Sequence, residues 1–271
     1  MSMARSVMWL PSSVVTLVFC ILITCEPVTV SANFNELVNI TWGDGRGKIS
    51  ESGDELSLTI DKASGSGFKS KSDYHFARFD IEIKLIPNNS SGLVTTFFVS
   101  APGEVRDEID LEFLGNVTGE PVTLHTNVFA EGQGRRERGF HLWFDASADY
   151  HKYSIVWNPQ RIIFMVDDKA IRVHENLMNI GVPYPTRQRM WLYASLWNAD
   201  QWATQGGRLK TDWSKGPFTV HYRNLKVTAY DGNNQTLTED DKANIIRIDK
   251  EFKIYDHCNF NIHPLECNKP A

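Results

Sequence analysis

Between residues 33 and 232 the chain is a succession of short segments in which apolar and polar residues alternate, separated by turn-forming stretches. Glu55-Leu56-Ser57-Leu58-Thr59-Ile60 turns three apolar side chains one way and its polar residues the other, the period of a half-buried strand. Residues 78–86 and 93–99 read as two more strands, separated by the turn-rich Pro87-Asn88-Asn89-Ser90-Ser91-Gly92. Residues 153–167 read as a hairpin turning at Asn158-Pro159-Gln160. No internal repeat, low-complexity tract or linker interrupts this run, so the pattern predicts one all-β domain over 33–232, a size that single β domains commonly reach.

The same alternation becomes unusual in Arg106-Asp107-Glu108-Ile109-Asp110-Leu111-Glu112-Phe113-Leu114-Gly115-Asn116. Ile109, Leu111 and Phe113 fall on one face; Glu108, Asp110 and Glu112 fall on the other. Strand interiors are normally poor in carboxylates, and like charges two residues apart repel. A solvated edge strand would tolerate them. Against that reading, no Lys or Arg lies between Glu108 and Glu112, and the flanking Phe-Leu-Gly points to a buried strand. Two carboxyl groups facing a common groove, with a third to hold a proton between them, suit retaining glycoside hydrolysis, in which one group attacks and the other supplies a proton.

Two further strands carry candidate binding groups. Residues 124–129 place His125 and Asn127 on one face, although a lone His is as often a satisfied structural group. Residues 189–197 place Met190, Leu192, Ala194 and Leu196 on one face and Trp191, Tyr193, Ser195 and Trp197 on the other. Flat rings stack on the C–H faces of sugars while their polar atoms reach hydroxyls, so this second face suits a sugar cleft. A sandwich with both faces covered would produce the same pattern.

Composition is that of an ordinary globular protein, and a formal net charge of −5 gives no footprint for nucleic acid. Residues 1–32 read as a secretory leader: Arg5, then an apolar run over 14–24, then Val30-Ser31-Ala32 before the cut. That run is shorter than the ~20 residues of a membrane span. Removal of the leader takes Cys20 and Cys25, leaving Cys258 and Cys267, which an oxidising compartment is expected to join as one disulfide in a short extension over 233–271. Asn39, Asn88, Asn89, Asn116 and Asn234 stand in glycosylation sequons.

Asp107-Glu108-Ile109-Asp110-Leu111-Glu112-Phe113-Leu114-Gly115-Asn116 resembles the catalytic strand of the plant xyloglucan endotransglucosylase/hydrolases of glycoside hydrolase family sixteen. The resemblance extends through Ser64-Gly65-Ser66-Gly67, Trp157-Asn158-Pro159, residues 197–207 (Trp-Asn-Ala-Asp-Gln-Trp-Ala-Thr-Gln-Gly-Gly) and Lys210-Thr211-Asp212-Trp213, covering most of the chain from Trp42 to Val227. It implies a curved, concanavalin-like β-jelly-roll sandwich of two antiparallel sheets with a concave substrate cleft. It further implies a secreted cell-wall (apoplastic) enzyme that cuts the β-1,4-glucan backbone of xyloglucan and passes the glycosyl group to another xyloglucan chain or to water. By the same resemblance Glu108 is the nucleophile, Glu112 the acid/base and Asp110 their helper; His125, Asn127, Arg136, Glu137, Trp197, Asn198, Asp200, Trp202 and Gly207 contact substrate; and Asn116 carries a glycan. No metal or organic cofactor is implied, nor a nucleic-acid or membrane partner, and the protein is expected to be a monomer. An endo-β-glucanase acting on mixed-linkage or β-1,3 glucan, and a catalytically silent glycan-binding protein, remain the alternatives.

The chain departs from the resembled pattern at several points. Arg106 stands where a His is usual, Phe98 where a Tyr is frequent, and Gly139 where a larger residue follows Arg-Glu-Gln, here Arg136-Glu137-Arg138. No Cys follows Tyr222-Arg223-Asn224 before residue 238, and residues 259–264 lack the usual Arg. In that family the tail helps to form the acceptor side of the cleft, so its alteration bears on transfer efficiency.

Overall fold

A computed structural model describes residues 29–31, 33–232, 236–260 and 262–267. The strands run β1 (Thr29–Ser31), β2 (Val38–Trp42), β3 (Gly47–Ile49), β4 (Glu55–Ile60), β5 (Ser66–Tyr74) and β6 (Ala77–Lys84). They continue with β7 (Leu93–Ser100), β8 (Glu108–Leu114), β9 (Thr123–Phe129), β10 (Arg138–His141), β11 (His151–Trp157) and β12 (Arg161–Val166). The last are β13 (Lys169–Glu175), β14 (Met190–Asn198), β15 (Phe218–Ala229) and β16 (Lys253–Asp256). Among the described residues, helices are confined to α1 (Phe34–Leu37), α2 (Glu239–Glu251), α3 (Pro264–Cys267) and single 3₁₀ turns.

The strands form two antiparallel sheets. One has the order β13-β12-β11-β6-β15-β4-β3, with β1 paired to β15; the other has the order β16-β10-β9-β8-β7-β14-β5-β2. Their inner faces make the core. Ile109, Leu111 and Phe113 of β8 and Met190, Leu192, Ala194 and Leu196 of β14 meet Phe79, Ile81, Tyr153, Ile155 and Phe164 from the opposite sheet. Phe113 and Tyr153 touch edge to face across this layer, with ring centroids 4.7 Å apart. The apolar half of each alternating pattern is therefore consumed between the sheets, and the polar half of the second sheet is turned outward.

β8 lies in the interior of its sheet, hydrogen-bonded to β7 and β9 without a register shift on either side. The edge-strand reading of its carboxylates is thus excluded.

The segment after residue 232 is joined to both sheets. α2 begins in a reciprocal capping box between Thr238 and Asp241. Its Ile245 packs with Leu237 on Val156, Ile163, Met165 and Ala170, the outer face of the first sheet. β16 then pairs with β10 and becomes the edge of the second sheet, and the Cys258–Cys267 disulfide closes the turn that carries α3. The leader expected over 1–32 lies outside the described residues except for 29–31, and Asn234 lies outside them altogether.

Candidate active site

The ladder register places the outward side chains of neighbouring strands in rows across the second sheet. Glu108 sits between Ser100 of β7 and Phe129 of β9, Asp110 between Phe98 and Asn127, and Glu112 between Thr96 and His125. Beyond β7 the rows continue into β14, where Trp191, Tyr193 and Ser195 oppose Ser100, Phe98 and Thr96. Beyond β9, Gly139 of β10 opposes His125 and Tyr255 of β16 opposes Gly139. All three carboxylates thus share one face, flanked by an aromatic side at β14 and by the C-terminal segment at β16.

Their partners differ, and this differentiates groups that sequence leaves equivalent. Glu108 accepts from Arg106 Nε at 2.8 Å and from Nη2 at 3.3 Å. Glu112 lies 2.8 Å from Nδ1 of His125. No Lys, Arg or His among the described residues pairs with Asp110, which is 8% exposed. Burial, then the charges of Glu108 and Glu112, push its carboxyl well above the ordinary carboxylate range, with Arg106 opposing and Glu137 adding to the rise. Asp110 therefore holds a proton over a wider pH range than a free Asp and can donate it to a flanking carboxylate.

The aromatic side is built from β14 and its neighbours. Tyr193 stacks on Phe98 with ring centroids 5.1 Å apart and 15° between planes. Lys69 of β5 sits over Trp191 at 4.3 Å and Tyr193 at 5.4 Å. Trp197 and Trp202 approach to 6.1 Å, and Trp202 is exposed. Phe98, Trp191, Tyr193 and Trp197 are half-buried and Trp202 is exposed, so none of these rings is enclosed.

The opposite side depends on the tail. A Cβ at Gly139 would lie 2.2 Å from the Tyr255 ring, so the missing side chain is what admits that ring onto the sheet. Tyr255 then packs 5.8 Å from His125. Burial, with Glu112 and Glu137 nearby, holds the Tyr255 hydroxyl above its ordinary value.

Not every residue expected to contact substrate is brought to this face. Arg136 is 1% exposed, and its guanidinium is occupied by Glu266 and the carbonyls of Val128 and Gln133, beneath the tail rather than in the groove. Asn127 faces the row, but its Oδ1 accepts the backbone N–H groups of Arg136 and Val128 while Nδ2 reaches Glu137 at 3.5 Å. Asp200 accepts from both the backbone N–H and the hydroxyl of Thr211, and Asn198 donates to the same hydroxyl, so both pin a loop. Gly207 has φ +81°, and a Cβ there would meet Gln201 O at 2.3 Å, a turn requirement. Asn116 is half-buried, its Nδ2 donating to Pro121 O, just past the end of β8.

Lys69 and Tyr255 are the residues that the sequence pattern did not single out. Lys69 continues the Phe98–Tyr193 row, which register alone reveals. Tyr255 becomes visible once Gly139 is known to face it. A cavity of about 530 Å³, lined by Pro87, Asn88, Asn116, Pro121, Phe144 and their neighbours, lies away from the carboxylates. Among the described residues, His257, Cys258 and Cys267 come close enough to share a metal ion, but the two sulfurs are joined to each other.

Residues 34–215 match glycosyl hydrolases family 16. Xyloglucan endotransglucosylase/hydrolase protein 24 of Arabidopsis thaliana is 52% identical over 231 residues, 84% of this chain and 86% of that protein. Xyloglucan endotransglucosylase protein 8 of Diospyros kaki is 56% identical over 197 residues, 73% of this chain and 68% of that protein. Among solved structures, a Bacillus licheniformis β-glucanase superposes with a TM-score of 0.60 at 23% identity, covering 76% of this chain and 99% of that one, a likeness of fold alone.

Proposed function

The chain belongs to glycosyl hydrolase family 16, among its xyloglucan endotransglucosylase/hydrolases, and from that membership we propose that it cuts the β-1,4-glucan backbone of xyloglucan with retention and hands the glycosyl group to a second xyloglucan chain or to water. Glu108 attacks the anomeric carbon while Glu112 protonates the departing oxygen. Glu112 then takes the proton from the incoming hydroxyl as the ester to Glu108 breaks. Asp110 holds the shared proton between them.

The observation that carries this reading is the outward row of β8, in which three carboxylates on one face have three different environments. The rings of Trp191 and Tyr193 and the hydroxyls of Thr96 and Ser195 lie on the β7–β14 side and suit the donor chain. His125 and Tyr255 lie on the β9–β16 side and suit the leaving or accepting chain. Unbroken pairing of β8 on both flanks favours this reading over a mixed-linkage or β-1,3 glucanase, whose catalytic strand can hold an extra residue. The leader-like 1–32 and the Cys258–Cys267 disulfide support secretion to the cell wall, where this polysaccharide is encountered. No cofactor is required, and a monomer suffices because one chain supplies every group named.

The deciding experiment incubates the purified protein with xyloglucan polymer and a labelled xyloglucan oligosaccharide. Label entering the polymer establishes transfer, and new reducing ends without incorporation establish hydrolysis. Retained binding with neither product would identify a silent glycan-binding protein and end the enzymatic reading.

A further inference from the structure

Arg106 is the cation that the structure sets against Glu108. Its fork reaches both oxygens of Glu108, through Nε to Oε2 and Nη2 to Oε1. The bond to Glu108 in turn holds the guanidinium above its ordinary value. The backbone beneath it is fixed: the Arg106 carbonyl accepts from Gly132 N–H, and buried Asp107 accepts from Glu131 N–H while donating its own N–H to Gln188. The guanidinium also lies 5.9 Å from the Phe129 ring. Its side chain is 41% exposed, so it can shift as a sugar arrives.

We propose that Arg106 is a positioning residue that sets the lifetime of the glycosyl-enzyme, a role that rests on Glu108 being the nucleophile. In the first half-reaction a Glu108 oxygen forms a bond to the anomeric carbon, the glycosidic C–O bond breaks, and the departing oxygen takes the proton of Glu112. The carboxylate charge that Arg106 stabilises is consumed, leaving a neutral ester. In the second half-reaction the incoming hydroxyl gives its proton to Glu112, its oxygen bonds to the anomeric carbon, and the ester C–O electron pair returns to Glu108. Arg106 stabilises the free carboxylate fully, the partly charged transition states in part, and the ester hardly at all. Relative to free enzyme it therefore slows formation of the intermediate; relative to the intermediate it hastens breakdown. This acts equally on transfer and hydrolysis, because it depends on the leaving carboxylate and not on the attacker.

The test compares wild type with Arg106→Gln and Arg106→Lys, each first shown to fold by thermal melting. A xyloglucan oligosaccharide serves as donor, the reaction is acid-quenched in the steady state, and the adduct is weighed on the intact protein and located by peptide fragmentation. R106Q is expected to raise the fraction of enzyme esterified at Glu108 about tenfold, the effect of replacing the charge-assisted fork with a neutral amide. Its kcat falls while kcat/KM holds or rises, and R106K, which keeps a point charge, returns part of the way. Equal esterification of Glu108 in all three enzymes, or none in any, overturns the role given to Arg106. An adduct located on Glu112 overturns the nucleophile assignment instead.

Discussion

At the residue scale, the three carboxylates of β8 differ in who stands beside them. Glu108 is buried beside a guanidinium, whereas Glu112 is half-buried beside an imidazole. With Glu108 as the proposed nucleophile, Glu108→Ala in azide yields a glycosyl azide of inverted configuration, because the small anion enters the face the nucleophile leaves vacant. Glu112→Ala in azide yields the retained product, after a loss of about 10²–10⁴-fold in turnover without azide. Product stereochemistry read by NMR distinguishes them, and retained product from the Glu108 variant would exchange the two roles. Asp110 invites a different measurement. Its carboxyl titrates above the ordinary 3.8, so the native state keeps a proton that the unfolded chain releases. Stability from this group is complete below that ordinary value and is lost as pH rises through the higher native value. Asp110→Asn removes the titration while keeping the shape. It is expected to melt progressively higher than wild type as pH rises from 4 toward neutrality, although its activity falls. A melting difference that does not change with pH would show that Asp110 is not strained in this way.

At the scale of elements, the strands were legible and their depth of burial less so. A period of two fixes which residues of β4, β8 and β14 share a face, and the observed faces match because each apolar set has only one sheet to pack against. The family's loop motifs were less informative about contact. Arg136, Asp200 and Gly207 belong to the motif, yet the structure uses them to hold a loop or the tail, and nothing in local spacing separates a residue that touches sugar from one that holds its neighbour. The contact that sequence could not show is between β10 and β16. Gly139 and Tyr255 are far apart along the chain, and their meeting depends on α2 first crossing the outer face of the other sheet. Gly139→Ala is expected to displace the Tyr255 ring, lowering stability by about 1–2 kcal/mol and raising KM for the acceptor more than for the donor. Tyr255→Ala should remove most of the stability penalty of Gly139→Ala in a double-mutant cycle. Simple additivity of the two would mean that the ring does not occupy that space.

At the scale of the whole molecule, the C-terminal segment is held against the catalytic sheet by a buried ionic network whose strength depends on pH. Glu266 pairs with Arg136, and His257 lies 3.2 Å from Asp256 and 3.6 Å from Glu266. Arg138 and Lys253 reach Asp256, while Arg172, His174 and His263 complete the surroundings. Burial opposes ionisation of Glu266, but His257 and Arg136 outweigh it and bring its carboxyl down from 4.5 to about 2. Burial likewise opposes the charge on His257, but Asp256 and Glu266 outweigh it and raise the imidazole above 6.5. The signs follow from linkage. The contribution of Glu266 is complete above 4.5 and fades as pH falls toward about 2, whereas that of His257 is complete below 6.5 and fades as pH climbs through its native value. Both are at full strength only between those limits, so the tail grips the sheet best under mildly acidic conditions. Amide exchange over residues 253–267, measured across pH after correction for intrinsic rates, should show protection that is highest in this window and declines on the alkaline side. His257→Gln should weaken that protection and abolish the alkaline decline. Because Tyr255 rides on β16, KM for the acceptor should rise with the same alkaline dependence in wild type and lose it in the variant. Protection that stays level into the alkaline range in wild type would separate the network from the anchoring of the tail.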